Sequence, residues 1–196
     1  MRLVIGISGS TGAIYGVRLL EVLQGSPDIE THVVISEPAK TTIEFETGRD
    51  PKDVLAMASV VYDYRDVGAA ISSGSFLTDG MVIAPCSIKT LSSVANSYND
   101  NLLSRAADVC LKERRKLVMV VRETPLHRGH LRLMLDVTES GGVILPPMPS
   151  FYHLPKTVDD IVNHTVQKVL DQFGIEKGLF QRWDGQVKVG VGADKS

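Results

Sequence analysis

Residues 3–24, LVIGISGSTGAIYGVRLLEVLQ, contain the transition that decides the fold. The apolar run at residues 3–7 leads into the small-residue segment at residues 8–12, and residues 12–24 then repeat apolar side chains near the helical period. A strand in a parallel sheet has this continuous apolar character, because helices cover both faces of the sheet. The stretch therefore predicts a strand, a tight loop and a helix in direct succession.

The same alternation continues along the chain. Residues 101–115 and 157–173 are amphipathic at helical period, and Thr157 with Asp160 opens the second of these stretches, which Gly174 ends. The other runs of strand length are residues 32–35, 81–84, 117–121 and 143–145. This alternation predicts an α/β fold, a Rossmann-like (flavodoxin-like) three-layer α/β/α arrangement around a mostly parallel sheet of five strands.

Composition and charge exclude several classes of protein. The chain has 196 residues, of which 43% are hydrophobic and 22% charged, and a formal net charge of −2, so a disordered chain and a broad basic surface for nucleic acid are both excluded. Its two cysteines are too few for a disulfide framework, and its apolar runs are too short for a signal peptide or a membrane span. We therefore expect a cytoplasmic protein that binds neither membranes nor nucleic acid. We further expect one domain over residues 1–185 and a surface tail over residues 186–196.

Small hydroxyl-bearing residues follow the first three predicted strands. In an open parallel sheet, ligands bind beyond the carboxyl ends of the strands. Gly9, Ser10 and Thr11 follow the first strand and lead into a helix, where backbone N–H groups favour an anion. A tight turn without a ligand is the alternative, since neither GK[ST] nor a full GxGxxG is present. Ser36 follows the second strand. After the third strand, Ser87 and Thr90 either offer hydroxyls to a nucleotide or cap the next helix.

Charged and aromatic residues follow the last two predicted strands. Arg122 and Glu123 come directly after a buried run, which favours a functional role over a surface ion pair, because unpaired charges are costly there. Residues 146–152, PPMPSFY, form a stiff segment that either holds aromatic side chains over the same edge or makes a structural corner. His127 and His130 have no third ligand nearby, so capping or solvated roles are favoured over a metal site.

Five motifs occur in order at residues 9–13 (GSTGA), 85–87 (PCS), 105–114 (RAADVCLKER), 122–125 (RETP) and 151–152 (FY). Together they resemble the UbiX/Pad-type flavin prenyltransferases, formerly described as phenylacrylic or aromatic acid decarboxylase subunits, over residues 2 to about 185. The resemblance implies a metal-independent transferase that joins a dimethylallyl group from dimethylallyl phosphate to N5 and C6 of reduced FMN. The prenylated FMN would serve a UbiD-type aromatic acid decarboxylase. The resemblance also implies a homo-oligomer, a dodecamer built from trimers.

Carried over position by position, the resemblance implies three groups of site residues. The FMN site would comprise Gly9, Ser10, Thr11, Ser36, Ser87, Ile88, Lys89, Thr90 and Arg122. The prenyl phosphate site would comprise Lys112, Arg122, Tyr152 and Lys168, together with Ser73 and Ser75. The catalytic residues would be Glu123, Thr11, Glu46 and Tyr152. Lys168 stands where the family commonly has arginine, so it keeps the charge but loses the bidentate fork.

The chemistry of prenyl transfer explains why these residue types are needed. Flavin N5 attacks an allylic carbon while phosphate leaves, so cations and the Tyr152 phenol would stabilise charge on the departing oxygen. Ring closure at C6 requires removal of a proton, for which Glu123 is the candidate base, and Thr11 would relay a proton. No metal is expected, because the chain has no Asp-rich motif.

Two other functions remain as alternatives. An FMN-dependent decarboxylase of peptidyl-cysteine type has the related motif Pro-Ala-Ser-Ala-Asn-Thr, whereas residues 85–90 read PCSIKT and place Lys89 at the asparagine position. The chain also has no histidine between His32 and His127, where the histidine of that family would lie. A non-catalytic flavin carrier is the second alternative, and it would leave Glu123 and Tyr152 without a shared purpose.

Overall fold

A computed structural model describes residues 1–183 and 185 of the chain. Its core is a sheet of six parallel strands in the order β3-β2-β1-β4-β5-β6. The strands are β1 (Arg2–Ile7), β2 (Glu30–Ile35), β3 (Val60–Tyr62), β4 (Gly80–Cys86), β5 (Lys116–Val121) and β6 (Val143–Ile144). The predicted tail at residues 186–196 lies outside the described residues.

Seven α-helices cover the two faces of the sheet in the part of the chain that the structure describes. They are α1 (Ala13–Leu23), α2 (Glu37–Thr47), α3 (Pro51–Leu55), α4 (Ile88–Ala95), α5 (Leu102–Lys112), α6 (Arg128–Glu139) and α7 (Val158–Asp171). Alternate residues of a strand face opposite layers: Leu3 and Ile5 pack with α1 and α7, whereas Val4 packs with α4, α5 and α6. The predicted three-layer α/β/α fold is confirmed.

The sequence predicted the start of α7 correctly but not the number of strands. The helix start at Thr157 is confirmed, because the Thr157 side chain accepts from the Asp160 N–H and the Asp160 carboxylate accepts from the Thr157 N–H. The prediction of five strands was wrong, because β3 adds a sixth, parallel to β2. This edge strand has only three residues, none of them buried, so its local pattern is weak.

The beginning of α1 lies unusually close to the end of β4. A Cβ atom added to Gly16 would lie 2.3 Å from the Ala84 carbonyl oxygen and 2.8 Å from the Ile7 side chain. Only glycine allows this approach. Gly16 therefore fixes where the loop after β1 stands relative to the end of β4.

We expect Gly16→Ala to lower the free energy of unfolding by about 1–3 kcal/mol, because the methyl group overpacks the contact between α1 and the sheet. At an exposed helix position, glycine to alanine stabilises the folded protein. A loss of stability in Gly16→Ala would therefore come from the crowded contact with β4. Urea denaturation measures it. Gly68→Ala is the matched control, since its Cβ meets only the Asp66 side-chain oxygen, at 3.3 Å. Equal stability of the two variants would contradict the prediction.

The two cysteines are free and lie in the core, Cys86 at the end of β4 and Cys110 on α5. Burial raises the pKa of both thiols, that of Cys110 to about 12. The reactive species is the thiolate. We therefore expect no alkylation of the folded protein by iodoacetamide at neutral pH and two alkylated thiols after unfolding, counted by mass spectrometry. Rapid labelling of the folded chain would contradict this burial.

Within the described residues, no helix has the length and apolar character that crossing a bilayer requires.

Candidate active site

The loop after β1 and the segment after β4 are joined by Ser8. Its hydroxyl donates to the Pro85 carbonyl oxygen at 2.9 Å and accepts from the Ser87 N–H at 2.8 Å. Next to this junction, the buried Ser10 hydroxyl has no hydrogen-bond partner among the residues that the structure describes. Buried hydroxyls are almost always paired, so Ser10 is a group that a bound ligand would satisfy.

Glu46 reaches the N-terminus of α1 from α2. Its Oε2 atom accepts from the backbone N–H groups of Gly12, at 2.8 Å, and Ala13, at 3.0 Å. The sequence predicted an anion at the loop that leads into this helix, and a carboxylate of the same chain lies at the helix end. The predicted FMN contacts of Gly9, Ser10 and Thr11 stay a prediction, and Thr11 is exposed beside this carboxylate.

Two more helices begin at the same edge of the sheet, since β2, β1 and β4 are neighbours. The Ser36 hydroxyl caps α2 by accepting from the Ala39 N–H, and the Ser87 hydroxyl caps α4 by accepting from the Thr90 N–H. Both hydroxyls therefore cap helices, the alternative left open for Ser87. Two further predicted FMN-site residues lie in the first turn of α4, Ile88 packed against the core and Lys89 exposed.

Arg122 and Glu123 leave the end of β5 beside this loop. The Arg122 N–H donates to the Cys86 carbonyl oxygen at 3.0 Å, which ties the two strand ends together. Both side chains are half-buried, and Glu123 Oε1 accepts from the Thr124 N–H at 3.0 Å. Arg122 lies close enough to Tyr15 on α1 for its charge to act on the phenol. Burial raises the pKa of the Tyr15 phenol, and Arg122 partly offsets this effect.

Tyr152 and Lys168 come together around a residue of α7, His164. The Tyr152 hydroxyl lies 3.0 Å from His164 Nε2, and Lys168 is one helical turn beyond His164. Lys168 Nζ lies 3.7 Å from Asp171 Oδ2. The Pro-rich segment before Tyr152 thus places its phenol against α7.

Lys112, Ser73 and Ser75 lie elsewhere. They line a cavity of about 420 Å³ with Gly74 and Arg105, and Lys112 pairs with the adjacent Glu113. Lys112 ends α5 and precedes β5, whereas Arg122 follows β5. Six strand residues at about 3.3 Å each place the two roughly 20 Å apart. One copy of the chain therefore does not bring these three predicted phosphate-site residues to Arg122 and Tyr152.

Of the two histidines at the start of α6, His127 has the capping role that the sequence favoured. His127 Nδ1 accepts from the Gly129 N–H at 3.0 Å, and its ring lies 3.6 Å from that of His130. Within residues 1–183 and 185, no cluster of three or more His, Cys, Asp or Glu side chains is arranged to hold a metal ion.

Comparisons with known proteins identify the family. A family model described as Flavoprotein matches residues 1–170. A flavin prenyltransferase UbiX of Thauera aromatica is 62% identical over 185 residues, covering 94% of this chain and 95% of that protein. The chain belongs to the UbiX flavin prenyltransferase family.

Two solved UbiX-type structures share its fold. One is a dodecameric FMN-dependent UbiX-like decarboxylase from Escherichia coli O157:H7, with a TM-score of 0.93 and 53% identity over 94% of this chain and all of that one. The other, AnUbiX (PadA1) in complex with FMN and dimethylallyl pyrophosphate, has a TM-score of 0.92 and 46% identity over 95% of this chain and 98% of that one.

Sequence reasoning did not name two residues that lie beside predicted site residues: Tyr15, near Arg122, and His164, which contacts Tyr152. Tyr15 had a usable signal, because it lies in the first turn of the helix that follows the Gly/Ser loop. His164 had none, since it lies within an amphipathic helix and its partner Tyr152 comes from a separate segment.

Proposed function

We propose that this chain is a flavin prenyltransferase that transfers a dimethylallyl group to N5 and C6 of reduced FMN. The observation that carries the proposal is the 46% identity, over 95% of the chain, to a protein crystallised with FMN and dimethylallyl pyrophosphate. The product would be prenylated FMN for a UbiD-type decarboxylase. The free, buried cysteines accord with a reducing compartment, so we place the protein in the cytoplasm.

The carboxyl edge of the sheet suits FMN as the prenyl acceptor. Ser10 offers a buried hydroxyl that no described residue pairs, and Ser36 and Ser87 stand at two helix N-termini, where the positive ends of the helix dipoles favour a phosphate. Arg122 adds a cation at the same edge. The remaining FMN contacts are assigned to Gly9, Thr11, Ile88, Lys89 and Thr90.

Two carboxylates, Glu123 and Glu46, would take different parts in the proton transfers. Glu123 stands half-buried at the end of β5, where it would remove the C6 proton during ring closure. Glu46 is held against α1 beside Thr11, so it would support Thr11 in relaying a proton. Tyr152 and Lys168 would stabilise charge on the departing phosphate oxygen.

We further propose that a second copy of the chain supplies Lys112, Ser73 and Ser75. Within one copy, Lys112 lies roughly a strand length from Arg122. A phosphate held by both residues therefore requires an interface between copies. The relative from Escherichia coli O157:H7 is dodecameric, and we propose the same closed assembly here.

Anaerobic incubation of the protein with reduced FMN and dimethylallyl phosphate, followed by mass analysis of the released flavin, tests the function. We expect a flavin heavier by one five-carbon prenyl unit. Parallel reactions with the diphosphate identify the preferred donor, and apo-protein without donor is the control. Tightly bound but unmodified FMN with both donors would contradict the transferase and favour a flavin carrier.

A further inference from the structure

Among the described residues, the Tyr152 hydroxyl has one hydrogen-bond partner, His164. It lies 3.0 Å from Nε2 of His164, which is 8% exposed, whereas Tyr152 itself is 46% exposed. The phenol therefore has a buried imidazole on its inner side, while the side chain as a whole is partly exposed among the described residues. A ligand that reaches the Tyr152 oxygen must approach from the outer side.

The His164 ring is fixed by aromatic neighbours. His153 stacks on it with centroids 5.0 Å apart and an interplanar angle of 7°, and Phe180 packs at 4.5 Å. A ring clamped in this way keeps Nε2 directed at the Tyr152 oxygen. The geometry suits a side chain that orients another group.

The charges around His164 favour its neutral form. Burial lowers the pKa of His164, the nearby His153 and Lys168 lower it further, and Asp171 opposes them. Together with the Tyr152 phenol, these are the titratable groups that face the imidazole. A neutral imidazole carries its proton on either ring nitrogen, so Nε2 either accepts from the phenol or donates to it.

The two arrangements have opposite consequences for an anion. If Nε2 accepts, the single phenol proton points inward, and only oxygen lone pairs face a phosphate. If Nε2–H donates, the phenol proton is free to point outward, and the two hydrogen bonds strengthen each other. A bound phosphate therefore selects the second arrangement.

We propose that His164 is a positioning residue: its Nε2–H donates to the Tyr152 oxygen and thereby directs the phenol proton to the phosphate oxygen of the prenyl donor. The proposal rests on the proposed function, in which Tyr152 contacts that phosphate. His164 does not touch the substrate. Protonation of His164 makes Nε2 an obligatory donor, so phosphate binding and proton uptake by His164 favour each other.

A double-mutant cycle with inorganic phosphate as the probe tests this coupling. Calorimetric titration would give the phosphate affinity of the FMN-loaded wild type, His164→Phe, Tyr152→Phe and the double variant. We expect His164→Phe to weaken binding roughly tenfold, the effect of losing one well-placed hydrogen bond. In the Tyr152→Phe background, where no phenol remains to orient, we expect the same change to have no further effect.

His164→Gln is the matched control. A glutamine amide nitrogen can donate to the phenol in place of Nε2 but does not titrate. We expect near-wild-type phosphate affinity at neutral pH. Because burial holds the pKa of His164 below its usual 6.5, His164 gains a proton only in the acid range, and the ratio of wild-type to His164→Gln affinity should rise as the pH falls below about 6.5. The ionisation of phosphate affects both proteins equally, so it cancels in this ratio.

The outcomes separate this inference from the proposed function. Wild-type affinity in His164→Phe, or an equal loss in His164→Gln, would overturn the positioning role while the transferase stands. An unchanged Tyr152→Phe would overturn the phosphate site and the inference together. Thermal unfolding of each variant identifies misfolding, and the His164→Gln pH comparison decides the question if His164→Phe does not fold. A wild type that makes no prenylated flavin would refute the transferase, whereas the phosphate cycle would still measure the coupling.

Discussion

Replacing Glu123 by glutamine is expected to leave FMN binding intact and to lower formation of the prenylated flavin by about 10²- to 10⁴-fold, the range for losing a general base. Glu123 is half-buried at the end of β5, and its Oε1 accepts from the Thr124 N–H at 3.0 Å. Glutamine has the same shape, and its oxygen can keep this hydrogen bond. The variant therefore removes the basic carboxylate and little else.

Single-turnover reactions measure the Glu123→Gln effect. The enzyme is loaded with reduced FMN under anaerobic conditions, dimethylallyl phosphate is added, and the flavin is extracted at intervals for mass analysis. Glu139→Gln, an exposed carboxylate at the end of α6, is the matched control. Unchanged turnover in Glu123→Gln would assign proton removal to another group, and Glu46 would be the first to examine.

The sequence predicted the parts of this fold that depend on local pattern. The β1–loop–α1 unit and the capping box of α7 both depend on residues that are close together in the sequence. The short edge strand β3 did not, because its sheet position depends on pairing with β2, about 28 residues away in the chain. Local pattern carries no information on that pairing.

The site was harder to predict, because its contacts join distant segments. Glu46 binds the amides of Gly12 and Ala13 across more than 30 residues, and Tyr152 meets His164 from outside its helix. The family resemblance supplied Glu46 and Tyr152 by position. It could not show that Glu46 takes the helix end assigned to an anion, nor that Lys112 lies at the opposite edge of the sheet.

The second large effect is expected from replacing Lys112. Lys112→Ala alone is expected to lower product formation at least tenfold, because a charge-assisted hydrogen bond to phosphate is lost. If each site takes Glu123 from one copy and Lys112 from another, the two impaired variants should complement each other. Random mixing of Lys112→Ala and Glu123→Gln chains in equal amounts would leave about a quarter of the sites with both residues intact.

Co-expression of the two variants with different affinity tags, followed by purification on both tags, isolates mixed assemblies for the mass assay. Arg122→Ala mixed with Glu123→Gln is the control, because both side chains leave the same strand end and no mixed site regains the pair. Recovery in the first mixture and none in the second would establish that neighbouring copies share a site. Equal inactivity of both mixtures would confine Lys112 to its own copy, where the distance along β5 excludes contact with a phosphate at Arg122.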